Sequence, residues 1–295
     1  MIVSRGIHLG WLLRRNALAL ATLVAYDVAI TFAYVWLHWH WLAIPMLPLP
    51  LLGSAIALIL TIRNNAAYAR WWEARTLWGA ILNNSRNFAR GVLTQIDDAA
   101  LGRRLIRCQI AYALALRCHL LRQSSAEVLA QYLPPDLAET CGRAANVPMA
   151  IQIAMGRDLA AARSDGKLDT VTVANLDRTL AAVVDAQGGL ERIKNTPLPR
   201  QYSALPLVFS GAYCVVLPLG LVKALALATP LGSALIGFMF LILNEVGDDL
   251  EDPFSNDMHD VPMKAITRTL EIDLLQSIGV TDVPPPITPQ NGILP

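Results

Sequence analysis

The sequence predicts an all-α membrane protein in which four transmembrane helices, in two pairs, flank a helical cytosolic body. Three observations carry this prediction. Of 295 residues, 54% are hydrophobic and only 16% charged, outside ordinary soluble usage, and the mean hydropathy is +0.42. The apolar residues gather in four charge-poor spans, each near the roughly 20 residues that cross a bilayer core. Between the second and third spans the apolar positions recur with helical rather than strand period. The net charge of +1 gives no reason to expect a nucleic-acid partner.

The first span runs from Asn16 to Leu42, interrupted only by Asp27. Arg5, Arg14 and Arg15 precede it, as in a signal peptide, but the apolar character continues through "TFAYVWLHWHWL" without a polar mature start, so a retained helix is expected. Trp36, Trp39 and Trp41 fit an interfacial belt, with His38 and His40 beside them. The second span runs from Met46 to Ile62. From Leu51 to Asn87 there is no proline, and Gly79 is the only glycine after Gly53, so one continuous helix should cross the membrane and continue into the cytosol. The third span covers Ser203 to Val222 and the fourth Ala224 to Leu243.

Basic residues orient these spans. Arg63, Arg70, Arg75, Arg192, Lys194 and Arg200 flank the middle segment, whereas the loop "AIPMLPLP" has no basic residue and the hinge between the last two spans has only Lys223. Both termini and the middle segment are therefore expected in the cytoplasm. The chain divides into a first helix pair (1–62), a cytosolic helical region (63–202), a second pair (203–243) and an acidic segment with a C-terminal tail (244–295). In the middle region "RRLIRCQIAYALALRCHLLRQ" is amphipathic, "LPPDLAETCGR" opens with first-turn prolines, and "SDGKLD" is a turn. The tail "DVPPPITPQNGILP" is too proline-rich for a helix.

Two stripes mark the long second helix. Trp71, Ala74, Trp78, Ile81, Ser85, Phe88 and Val92 repeat at three-and-four spacing and should pack in a core. Ser54, Leu58 and Ile62 share a face one turn apart, and both helix packing and pore lining fit them.

The run "NEVGDDLEDPFSNDMHDVP" carries Glu245, Asp248, Asp249, Glu251, Asp252, Asp257 and Asp260. The first five are calcium candidates by ligand chemistry, but no EF-hand spacing is present, so a structural cap and no metal are expected. Asp27 would mark an ion pathway or hydrogen-bond to a neighbouring helix, and the second is expected. His8, His38, His40, His119 and His259 are scattered, and Cys108, Cys118, Cys141 and Cys214 lack metal or disulfide spacing, which suggests reduced thiols. With no nucleophile elbow, P-loop, dinucleotide fingerprint or HExxH, neither an enzyme nor a cofactor is expected.

At "LLGSAIALILTIRNNAAYARWWEARTLWG" and "EVGDDLEDPF…DMHDVPM", the chain resembles the bacterial branch of the bestrophin family. Arg63 and Asn64, the run of Tyr68, Arg70, Glu73 and Arg75, "GGLERIKNTPLP", and Glu251, Asp252, Pro253 and Phe254 are further matches. The resemblance implies a homopentameric channel in the bacterial inner membrane, passing small inorganic ions through a neck lined by the second helix. It places Ser54, Leu58 and Ile62 at the neck and Val171, in "KLDTVTVANLD", at a second, cytosolic constriction. Chloride is implied by family naming, and cation conduction is the alternative. Ser54 stands where related chains usually carry a bulky apolar residue. The acidic run resembles the calcium clasp of animal members, whose full site bacterial relatives generally lack. A secondary transporter and a membrane-anchored helical scaffold for a cytosolic partner are the competing functions; the small span count and the absence of paired broken helices speak against the transporter.

Overall fold

A computed structural model describes Met1 and residues 9–45, 48–290 and 292–294. The expectations that involve Arg5, His8 and Met46 lie outside the described residues. Helices α1 (Leu9–Arg15), α2 (Ala17–Val35), α3 (Leu49–Gln95), α4 (Ala99–Leu120), α5 (Ala126–Tyr132), α6 (Pro135–Gly142), α7 (Val147–Ser164), α8 (Thr170–Asn195), α9 (Arg200–Leu225), α10 (Thr229–Glu251) and α11 (Met263–Ser277) follow in order. They fall into two compact units. An apolar unit holds Arg5–Arg70 and Pro197–Glu251, and the other holds Met1–Ser4, Trp71–Thr196 and Asp252–Pro295.

In the apolar unit α10 packs on α2 and α9. A small core forms where Leu49, Ile56 and Leu60 of α3 meet Tyr213, Leu217 and Leu221 of α9 and Phe240 of α10, with the Tyr213 and Phe240 rings edge-to-face at 5.4 Å. Most remaining apolar side chains point outward, among them Leu205, Leu207 and Val208 on α9 and Leu231 and Leu235 on α10. A helix that is apolar all round is suited to a bilayer. Pro206 and Pro218 lie inside α9, where they remove backbone donors, and the Ser210 hydroxyl donates to Pro206 O at 2.6 Å.

By length and hydropathy three helical stretches can cross a membrane: Ala17–Val35, Leu49–Gln95 and Arg200–Glu251. The third comprises α9 and α10, joined by the 3-10 turn Ala226–Ala228. Two expected boundaries are corrected. The first helix ends at Val35 rather than Leu42, because His38 takes a left-handed backbone (φ 56°) and only a 3-10 turn, His40–Leu42, follows. The last break falls at Ala226 (φ 47°), not beside Lys223, and Pro230 sits in the first turn of α10. The long helix holds as expected, running unbroken from Leu49 to Gln95.

The second unit is built around α4, in which every residue from Cys108 to Leu116 is buried. It is therefore a central helix, with α7 and α11 packed on it. Ala74, Trp78, Ile81, Ser85, Phe88 and Val92 are buried here and Trp71 packs against them, as the stripe requires. Polar side chains also join its helices: Gln109 Nε2 donates to Ser85 Oγ at 2.7 Å, and Arg104 Nε to Asp158 Oδ2 at 2.6 Å. Gly166, at φ 72°, makes the "SDGKLD" turn, and Pro135 opens α6. All four cysteines are free and buried, and burial pushes the Cys108 thiol up to about 12. The tail is extended, with Val280 and Val283 against the core, and Met1 and Leu294 exchange backbone hydrogen bonds at 2.6 and 2.8 Å.

Candidate functional site: the outward face of α3 and the acidic belt

Within the apolar unit α3 has two unlike faces. Leu49, Ile56, Leu60, Arg63 and Ala67 are buried at helical spacing. On the other side Ser54, Leu58 and Ile62 are exposed, the last two at 62% and 49%. The structure thus brings the three residues onto one outward face and excludes their burial within the single chain. The Ser54 hydroxyl donates to Pro50 O at 2.8 Å and the Thr61 hydroxyl to Ala57 O at 2.8 Å, so both donors are spent on the helix itself.

At the end of this stretch the helix turns polar because its buried face meets the acidic run. Arg63, only 2% exposed, pairs through Nη2 with Asp248 Oδ1 and lies 3.7 Å from Glu251 Oε2, while Nη1 donates to Asn244 O at 3.3 Å. Asn64 Nδ2 donates to Leu243 O at 2.8 Å and Arg70 Nε to Glu251 O at 2.8 Å. Arg15 pairs with Glu245 at 2.7 Å and with Asp249 at 2.9 Å, and Ser203 Oγ donates to Glu251 Oε2 at 3.0 Å. Gly247 is needed here, since a Cβ would come within 2.5 Å of Asn64 Oδ1 and 3.1 Å of Arg63 Cζ. The interaction of Arg63 with this run was not foreseen, although its place one turn beyond Leu60 on the buried stripe was a signal.

In the second unit Asp252 pairs with Lys194 Nζ at 2.9 Å, which also donates to Phe254 O at 3.1 Å. Asp260 caps its own loop, accepting from Asn256 N at 2.6 Å and Asp257 N at 3.1 Å; burial raises its carboxyl above the usual carboxylate range. Thus the calcium candidates Glu245, Asp248, Asp249, Glu251 and Asp252 are divided among different cations. Among the described residues no three His, Cys, Asp or Glu converge in a metal-holding group.

Val171 is 69% exposed in the first turn of α8. Its backbone is fixed by the Asp169 cap, which accepts from Val171 N at 2.7 Å and Thr172 N at 3.0 Å. The Thr172 hydroxyl is the main group holding the Asp169 carboxyl below its ordinary range. Asp27 is 0% exposed and accepts from Ser233 Oγ of α10 at 3.0 Å, the helix-to-helix hydrogen bond expected of it. His38 and His40 lie beside exposed Trp36, Trp39 and Trp41.

The sequence matches the family described as Bacterial/Fungal Bestrophin protein over residues 7–276. The chain belongs to this bestrophin family. The voltage-dependent anion channel-forming protein YneE of Escherichia coli (strain K12) is 36% identical over 264 residues, 90% of this chain and 87% of that protein. A voltage-dependent anion channel-forming protein of Mesorhizobium japonicum is 36% identical over 242 residues, 82% and 77% of the two chains. Among solved structures, a bacterial Bestrophin homolog from Klebsiella pneumoniae matches with a TM-score of 0.84 at 29% identity, over 88% of this chain and 97% of that one. A mutant form of it reaches 0.86 at 29% identity, over 90% and 99%. This bestrophin is accordingly an all-α membrane protein, and its relatives are named for channel formation rather than catalysis.

Proposed function

We propose that this bestrophin forms an anion-conducting channel, a homopentamer in which α3 of each copy lines a hydrophobic neck at Ser54, Leu58 and Ile62. The observation that carries the reading is the outward apolar face of α3, on which Leu58 is 62% and Ile62 49% exposed on the single chain. Symmetric assembly around an axis would turn one such face per copy inward. The names of the relatives favour anions, and chloride is the ion to try first. Reconstituted protein in planar bilayers under asymmetric potassium chloride tests this. A reversal potential near that of chloride supports it, a potential near that of potassium makes the channel cationic, and coupled uptake or no flux removes the channel.

In this reading α9 and α10 cross separately, so α2, α3, α9 and α10 give four crossings and both termini lie in the cytoplasm of a bacterium. Arg14, Arg15, Arg63, Arg70 and Arg200 flank that side. A C-terminal reporter should be active only in the cytoplasm; activity outside it would reverse the orientation.

Val171 supplies a second constriction in the cytosolic part. Its exposure and the rigid Asp169 cap suit a side chain presented to passing ions. Val171→Ala should change unitary conductance or ion preference while open probability stays near wild type, as single-channel recordings would report.

The acidic run is structural, because its carboxylates already neutralise Arg15, Arg63 and Lys194. Calcium should therefore leave the melting temperature and conductance unchanged, whereas a bound ion would raise the first by mass action. A calcium-dependent rise in melting temperature would contradict this.

A further inference from the structure

We infer that Asn65 determines ion preference at the cytosolic end of the neck, its carboxamide N–H groups returning to an anion the hydrogen bonds that the apolar rings withhold. The inference rests on the proposed pore. At about 100° per residue, with Ser54 set at zero, Leu58 stands at about 40°, Ile62 at about 80° and Asn65 at about 20° around α3. Asn65 therefore lies inside the arc that defines the neck face. It is exposed, and it sits about 4.5 Å along the axis beyond Ile62 at 1.5 Å per residue.

From Leu51 to Ala69 the same arc holds Leu51, Ser54, Leu58, Ile62, Asn65 and Ala69. Two of these are polar. The Ser54 hydroxyl is donated to Pro50 O, which leaves it only acceptor capacity toward an ion. The Asn65 side chain has no hydrogen-bond partner among the described residues, so both of its Nδ2 protons are free. Its neighbours behave differently: Arg63 and Asn64 turn to the acidic run and to Leu243 O. An ion in the neck has shed water against walls that return nothing. Asn65 is the first side chain beyond Ile62 on this face that can donate to it, and a ring of such amides lowers the barrier for anions leaving or entering the neck.

The test uses the full chain in planar bilayers, with Asn65→Leu, Asn65→Gln and Asn65→Asp beside wild type. Reversal potentials are read in asymmetric potassium chloride, and assembly is checked by size exclusion. Asn65→Leu should lower chloride conductance on the order of tenfold, as loss of one hydrogen bond to a charged species implies. Asn65→Gln should keep most of it, and Asn65→Asp should move the reversal potential toward that of potassium. Should Asn65→Leu fail to assemble, the Gln and Asp variants still decide, since equal reversal potentials in those two overturn the inference. Wild-type conductance in an assembled Asn65→Leu overturns it as well and leaves the channel standing. Absence of any wild-type current removes the channel and the inference together.

Discussion

Leu58→Ala and Ile62→Ala should each raise the open probability of the reconstituted channel while the oligomer stays assembled. Leu58 and Ile62 are one turn apart on the outward face of α3, so in a symmetric assembly they form two stacked apolar rings. A narrow apolar ring blocks ions by dewetting, because the ion loses hydration and gains no ligand. Truncation to alanine removes three carbons per subunit from either ring, which widens it and lets water bridge the gap.

The competing outcome is a packing defect. Truncating a buried leucine or isoleucine typically costs about 2–5 kcal/mol. Exposures of 62% and 49% on the single chain reduce that cost within the subunit, since neither side chain is fully buried there. Single-channel recordings and size-exclusion profiles of the same preparations separate the two. Unchanged gating together with loss of assembly would place both side chains between subunits and away from the ion path.

Arg63→Ala should destabilise the apolar unit by about 1–3 kcal/mol, the usual cost of leaving a buried acceptor without its donor, since the Asp248 carboxylate left behind is 60% exposed and stays solvated. Arg63 is deeply buried, bonded to Asp248 and Asn244 and close to Glu251. Its loss leaves the Asn244 carbonyl without that donor and Glu251 with a nearby charge removed. Arg63→Lys should recover only part of the stability, since an ammonium keeps the charge but cannot span these partners as the guanidinium fork does. Thermal melting of the purified protein in detergent reads both. Wild-type melting of Arg63→Ala would show that the unit does not depend on this contact.

The sequence by itself determined the helical class, the apolar character of the spans and the long α3. Each depends on local composition: runs of apolar residues, a stretch without proline, and three-and-four spacing. It also supplied the face shared by Ser54, Leu58 and Ile62, because helical periodicity is a property of the chain alone. The ends of α2 and α9 were not legible, since His38 and Ala226 adopt left-handed backbones that composition does not announce. Nor was the central burial of α4, whose amphipathic pattern does not announce that α7 and α11 both pack on it.

The acidic run was the least legible part. Its carboxylates lie close together in sequence, and a structural role is expected of them, but their partners come from distant segments: Arg15 from the start of the chain, Arg63 from α3 and Lys194 from α8. Only tertiary packing decides which cation each carboxylate meets. The same packing decides that Asn64 is occupied and Asn65 is not, because a 100° step along one helix carries the side chain from a neighbouring carbonyl to open space.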